Sequence, residues 1–490
     1  MANRLTFGLL LAALTLTGFA GAAPPEDPVA AADRQILTEI AERSEQMQNL
    51  EYLADRIGPR LTGSDALKRA NQWAAEKFRA YGLSSVRLEP WIIAHSWKRG
   101  VARARVTAPA ELRLSAEAAG WSPNTPGPVR GPLVYVKAEK TEDLEAYRGK
   151  LRGAIVITTE PTPRQRVPER PLLPRPPRPE YDFAARRQFS NERNKFFQEE
   201  GVQAVLRDSD KGMGLYAMTS AGSDYKPALI PTAFVTPESY DLLWRLRKDD
   251  QPVEVEVEIS GCEFSAGPVE VYNTVAEIPG SEKADEVVIL GAHIDSWDLG
   301  TGATDNGTGV VSVLEAARTL QKLGLKPKRT IRFVLFSGEE QGLDGSRAYV
   351  EAHKEEMPKI SAALIHDYGT GRVETISLSG NSQAYEMVWK TLAPLRQMIG
   401  YEDFKLQAFP GSDHASFNRA GVPAFFCLQE TGTYRQTHHS QTDTFDKVIR
   451  DDLVNGAQVL AVFAYNLAQA DEMVPRKPVP PQPAQPPAPR

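Results

Sequence analysis

Hydrophobic and polar positions follow three rhythms along this chain, and the changes of rhythm divide it. Residues 32–82 carry apolar side chains at helical spacing. The run ADRQILTEIAERSEQMQNLEYLADRIG is stopped by Gly58-Pro59. GSDALKRANQWAAEKFRAYGL predicts a second amphipathic helix, with Ser64 as N-cap and Gly82 as C-cap. VRLEPWIIAHSW then alternates like a strand. From about residue 105 to 265 the chain breaks into short β-rich runs separated by turns: GPLVYVKA, GAIVITT, GVQAVLRD, IPTAFVT and PVEVEVEIS. From 286 the rhythm is strand, then helix: EVVILGAH, NGTGVVSVLEAARTLQKLG, RTIRFVLFSG, GSRAYVEAHKEE and ISAALIHD. VPAFFCL and the long run VIRDDLVNGAQVLAVFAYNLAQADEM repeat that order near the end.

Alternating strands and helices predict an α/β fold, a mixed, mostly parallel twisted sheet with helices on both faces. The β-rich stretch, 105–265, is inserted between an N-terminal part, 32–104, and the main part of that domain, 266–473. Within the insert, PTPRQRVPERPLLPRPPRPEYDF is too rich in proline for a helix or central strand and reads as a long surface loop. From 474 the tail VPRKPVPPQPAQPPAPR is expected to be disordered.

The opening segment lies outside this scheme. Arg4, an apolar run from Leu5 to Ala20 and the small residues Ala20-Gly21-Ala22 predict a signal peptide over residues 1–22. The run is shorter than the ~20 apolar residues of a membrane span. The expectation is an exported protein, periplasmic or secreted, with no membrane span after cleavage. The 490 residues are 41% hydrophobic and 24% charged, as in ordinary globular chains. A net charge of −6 gives no basic face for nucleic acid. Of the two cysteines, Cys427 lies in an apolar strand and reads as a buried thiol; whether it pairs with Cys262 is open.

Because sites in open α/β sheets form at the carboxyl ends of strands, the polar residues there are the candidates for chemistry. His293 and Asp295 end one strand, on the same side of an extended segment, and Asp305 precedes the next helix. Adjacent Glu339 and Glu340 end a second strand. Two carboxylates confined together repel unless a cation or proton is shared; one can bind metal while the other accepts a proton from water. Asp367 ends a third strand, and His438 and His439 precede the last helix. Such a nitrogen and oxygen donor set suits two zinc ions, with manganese or cobalt compatible.

The segments HIDSWDLGTGATDNGTG, LGLKPKRTIRFVLFSGEEQG, DYGTG, GSDHASFNRAGVPA and HHSQTDT, joined by GPRLTGS at 58–64, resemble the co-catalytic di-zinc exopeptidases. That family includes secreted bacterial aminopeptidases, glutamate carboxypeptidases and the non-catalytic transferrin receptor. The resemblance implies two Zn2+ ions held by His293, Asp305, Glu340, Asp367 and His439, with Asp305 bridging and followed by a cis peptide to Asn306. It implies Asp295 as the partner of His293, Glu339 as general base, and a protease-associated-like insert. It implies hydrolysis of short peptides next to a free amino terminus by a hydroxide held between the ions. A carboxypeptidase on short peptides and a non-catalytic binding module are the alternatives. GSDHASF is closer to the aminopeptidases than to the carboxypeptidase branch, which leaves substrate preference open. His414, Tyr434 and His438 are candidate substrate contacts, His366 is expected to be structural, and a homodimer is among the possible assemblies.

Overall fold

The computed structural model describes residues 27–161, 183–249, 252–399, 406, 409 and 411–477. The signal-peptide segment and most of the proline- and arginine-rich loop lie outside them.

Seven strands form the main sheet: β1 (Ser84–Ile93), β2 (Val269–Ile278), β3 (Lys283–His293), β4 (Arg329–Phe336), β5 (Ile360–Ile365), β6 (Val373–Ser377) and β7 (Ala424–Gln429). Their spatial order is β1-β2-β4-β3-β5-β7-β6. The β4-β3, β3-β5 and β5-β7 pairs are parallel. β2 and β6 run against their neighbours, which leaves β1 aligned with the central four. The sheet is thus mixed and mostly parallel, as the alternation predicts.

β4 and β5 are buried along their whole length, as expected of strands covered on both faces. Val288, Leu290 and Ala292 of β3 pack toward the helices Pro28–Arg43, Asp65–Ala80, Thr308–Lys322 and Arg450–Gln469. Val287 and Ile289 pack the other way, with Tyr349 and Phe417 of the shorter helices Asp344–Ala352 and His414–Arg419. Helix starts follow the capping residues. Asp27 accepts a hydrogen bond from the Val29 N–H, with Pro28 in the first turn, and Ser64 accepts one from the Leu67 N–H.

The residues between β1 and β2 build a second, eight-stranded sheet over its own apolar core. Its strands include Val101–Ala108, Val129–Tyr135, Ile155–Ile157, Ala204–Asp208, Thr232–Val235 and Glu254–Ser260. This part is richer in helix than the sequence suggests: Phe183–Glu200 and Pro237–Leu246 are helical. The first was missed because it follows directly on the proline-rich run and its apolar signal is little more than Phe189, Phe196 and Phe197 among charged residues. The tail also differs from expectation at its start. Val474 is buried, its N–H donates to Ser361 Oγ, and the Arg476 guanidinium donates to the Ile360 and Gly421 carbonyls. These partners fix residues 474–477 before the proline repeat begins. Cys262 and Cys427 are both free and buried, each in a different core.

Candidate metal centre

The parallel strands deliver the candidate residues to one edge of the main sheet. His293 is the last residue of β3. Glu339 and Glu340 follow β4, Asp367 follows β5, and His438 and His439 lie in the segment after β7. Asp305 sits just ahead of the Thr308–Lys322 helix, and its peptide bond to Asn306 is cis, as the resemblance implies.

The geometry is two-sided about Asp305. Its Oδ1 lies 3.2 Å from His293 Nε2, and its Oδ2 lies 3.5 Å from His439 Nε2. On the first side, Asp367 Oδ1 is 3.1 Å from His293 Nε2. On the second, Glu340 Oε2 is 2.8 Å from His439 Nε2. Glu339 Oε2 stands 4.0 Å from His293 Nε2. Donor atoms of His293, Asp305 and Glu340 all fall within 4.8 Å of one another, as do those of His293, Glu339 and Asp367.

His293, Asp305, Asp367 and the Glu340 side chain are buried, with Glu339 and His439 partly so. His293 is 1% exposed, yet Asp305 Oδ2 and both Glu340 carboxylate oxygens lack a hydrogen-bond partner among the described residues. An unpaired buried carboxylate is costly unless a cation compensates it. Burial and then the Asp305 carboxylate push Glu340 well above the usual range. Burial, with the Asp367 and Asp413 carboxylates adding to it, does the same to Glu339. Burial alone would lower the His293 imidazole, but Asp367 and Glu339 outweigh it and hold it well above its ordinary value. These shifts are those of an acidic cavity lacking countercharge, and the donor set fits two divalent cations.

The surrounding residues explain why the cluster holds its shape. His293 Nδ1 faces the Asp295 carbonyl oxygen at 3.1 Å and Asp295 Oδ1 at 3.5 Å. Asp295 is itself fixed by the Thr62 hydroxyl at 3.0 Å and by the backbone N–H groups of Glu339 and Glu340, each at 3.3 Å. The Arg60 guanidinium donates to the carbonyls of Ile294, Thr301 and Gly302. Gly302 has φ 65°, and a β-carbon there would sit 2.4 Å from the Ser296 side chain, so this crowded turn needs glycine. Asp443 accepts from the backbone N–H groups of Thr304 and Asp305 at 2.6 and 3.2 Å.

Sequence reasoning assigned no role to Thr62, Arg60, Asp443 or Asp413. Asp413 is fully buried, and burial, with the Asp367 and Asp295 carboxylates adding to it against His293 and Ser346, pushes it up to about 7. The only sequence signal for these four was their presence in the quoted segments.

The three candidate substrate contacts separate. The Tyr434 ring packs against Tyr368 and His438, and burial followed by the Asp305 and Asp367 carboxylates raises its hydroxyl well above the usual value. His438 stacks on His439 with ring centroids 3.7 Å apart and has its Nε2 3.9 Å from Asp305 Oδ2. His414 is not brought into the cluster: its Nε2 faces the Phe409 carbonyl and its ring packs on Phe426. The helix that it opens turns Asp413, not His414, toward the carboxylates. His366 is buried beside Gly456, in keeping with a structural place.

A buried group of carboxylates and imidazoles at the carboxyl edge of a covered α/β sheet defines the class: a metallohydrolase centre. The model of peptidase family M28 matches residues 273–464. Carboxypeptidase Q of Bos taurus is 30% identical over 431 residues, which are 88% of this chain and 86% of the bovine protein. The crystal structure of a peptidase M28 precursor from Shewanella amazonensis SB2B is similar at TM-score 0.76 and 30% identity, covering 93% of this chain and 99% of that one. The aminopeptidase from Aneurinibacillus sp. strain AM-1 shares the fold at TM-score 0.64 and 21% identity, covering 91% of this chain and 98% of its own. The chain belongs to peptidase family M28 and, with it, to the metallo-exopeptidases.

Proposed function

We propose that the chain is an exported di-zinc exopeptidase that removes one residue from the amino end of short peptides or splits dipeptides. The observation that carries this reading is Asp305, with one carboxylate oxygen toward His293 and the other toward His439. That arrangement makes two adjoining ligand sets that share a residue. His293, Asp305 and Asp367 would hold one ion; Asp305, Glu340 and His439 would hold the other. Manganese or cobalt would suit the same donors. When bound, such ions would supply Lewis-acid polarisation of a peptide carbonyl and would make water in the site more acidic.

The chain's own groups do the rest. Glu339, beside His293 but outside the two ligand sets, takes the proton from the attacking water and passes it to the departing amine. Asp295 holds the His293 ring in orientation. Tyr434 and His438 border the cluster where an oxyanion would form. Two divalent ions cancel the four charges of Asp305, Glu339, Glu340 and Asp367. Around that set, burial pushes Asp413 and Asp443 up to about 7, and Arg60 and Lys211 stand against Asp295, so the preference for a free amine rests on the likeness of GSDHASF to the aminopeptidases. The second reading is a carboxypeptidase on short peptides, favoured by the name of the bovine relative.

Metal content, measured with hydrolysis of dipeptides and aminoacyl amides beside their N-acetylated forms, separates the readings. About two zinc ions per chain and cleavage of the free-amine substrates alone is the expected result. Cleavage of N-blocked peptides bearing a free carboxylate would move the protein to the carboxypeptidases. Neither metal nor turnover would point to a binding module.

A further inference from the structure

The two halves of the proposed metal centre are supported differently. His293 ends β3 and Asp367 lies two residues past β5, so both are held by the sheet. His439 lies in a loop, with φ 52°. Residues other than glycine keep that conformation only when their surroundings impose it.

Besides Asp443, which the main domain holds, the hydrogen bonds that reach this loop nearest His439 come from the second sheet's part of the chain. The Met218 N–H donates to the His439 carbonyl at 3.0 Å. Lys211 Nζ donates to the His438 carbonyl at 2.6 Å. The Tyr216 N–H donates to Gln441 Oε1 at 2.9 Å, and Gln441 Nε2 donates to the Gly214 carbonyl at 2.9 Å. All four contacts use one segment, between the strands Ala204–Asp208 and Thr232–Val235. Met218 is buried, and its sulfur accepts from the Leu299 N–H, which ties the segment to the loop after β3 as well.

We propose that residues 211–218 are a positioning element for the Glu340/His439 half of the metal centre, and that Lys211 is its principal side chain. Lys211 acts through the backbone of His438 on the ligand next to it. The inference rests on the di-metal reading above.

The sign of the effect separates positioning from charge. The Lys211 ammonium is within electrostatic reach of Asp305 and His439. Its charge by itself opposes a bound cation, so a purely electrostatic role means that Lys211→Met tightens metal binding. A positioning role means the opposite, because losing a charge-assisted hydrogen bond frees the loop.

The test is titration of the metal-stripped full chain with zinc by calorimetry, repeated with cobalt and followed by its visible absorption. The wild type should take up two ions. Lys211→Met should keep the first at wild-type affinity and bind the second roughly 10- to 100-fold more weakly; Lys211→Arg should recover most of the loss. Unchanged binding of the first ion shows that the sheet-borne half is folded. A second ion bound by Lys211→Met as tightly as in the wild type, or more tightly, overturns the positioning role and leaves the metal centre standing. Loss of both ions overturns the division into halves. A wild type that takes up no metal overturns the di-metal reading and this inference with it.

Discussion

The two sheets treat charge in opposite ways. In the second sheet, the strand Glu254–Ser260 buries Val255, Val257 and Ile259 and turns Glu254, Glu256 and Glu258 outward. Each glutamate meets an arginine: Arg130, Arg105 and Arg103 respectively. In the main sheet, β4 is buried on both faces, and its buried Arg329 and Arg332 are paired with Glu286 and Glu277 at 2.6 Å each. Past the strand ends, among the described residues, Asp305 Oδ2 and the Glu340 oxygens have no arginine or lysine partner and face the imidazoles of His293, His438 and His439. Charge in a protein is ordinarily solvated or matched, so unmatched charge in the interior marks a place arranged for something other than stability.

The strongest way to break that comparison is at Glu339. Glu339→Gln keeps the shape and removes the base. It should leave metal content near the wild-type value and lower kcat by roughly 10²- to 10⁴-fold, the usual worth of a general base. Turnover near wild type in metal-replete protein would remove Glu339 from the mechanism. Next in size is the ion itself. Each bound ion, at a hundredfold excess of metal over its Kd, stabilises the folded chain by about 2.7 kcal/mol. Chelation should therefore lower the Tm, and re-addition restore it. Glu340→Gln should abolish the share of that metal-dependent rise that comes from the ion it helps to hold. A rise of wild-type size in this variant would place the ions elsewhere.

The central strands β3, β4, β5 and β7 were legible in the sequence as apolar runs that end near polar residues, and that junction is where sites form; β2 and β6, with polar residues interspersed, were not legible as strands. His293 and Asp367 stand out at such junctions, but the division of Glu339 from Glu340 and of His438 from His439 comes only from the resemblance, because each pair is adjacent in sequence. Thr62, Arg60 and Asp443 do not stand out: they act on backbone groups or carboxylates more than a hundred residues away in sequence, and nothing local distinguishes them. His414 looked functional because imidazole draws attention, whereas the buried group facing the cluster is its neighbour Asp413. The helix Phe183–Glu200 was hidden by a proline-rich preface and a thin apolar stripe.

A buried carboxylate outside the site sharpens the comparison. Asp33, on the first helix, is 2% exposed, and its side chain accepts from Asn466 Nδ2 at 3.2 Å. Burial pushes it up to about 6, against a usual value of 3.8. Between those two values the folded chain holds a proton that the unfolded chain has released, so stability falls as pH rises through this window and then levels off. Asp33→Asn removes the loss. It should stabilise the protein at pH 7 by on the order of 2 kcal/mol and have little effect at pH 4. Chemical denaturation at the two pH values reads this directly. Equal effects at both would show that Asp33 stays ionised in the fold.

The smallest effect belongs to the outward ladder. Arg105 Nε lies 2.8 Å from Glu256 Oε1, and the same guanidinium meets Glu111, all at the surface. Water already solvates these groups, and salt screens what attraction remains, so such pairs contribute little. Arg105→Ala should leave Tm, metal content and turnover at their wild-type values in physiological salt. A clear loss of Tm would mean that the ladder bears on how the second sheet packs. A loss of turnover with unchanged Tm would carry more weight, because the ladder would then be linked through residues 211–218 to the loop that holds His439. The contrast between matched and unmatched charge predicts neither, since a charge that is already satisfied has nothing to transmit.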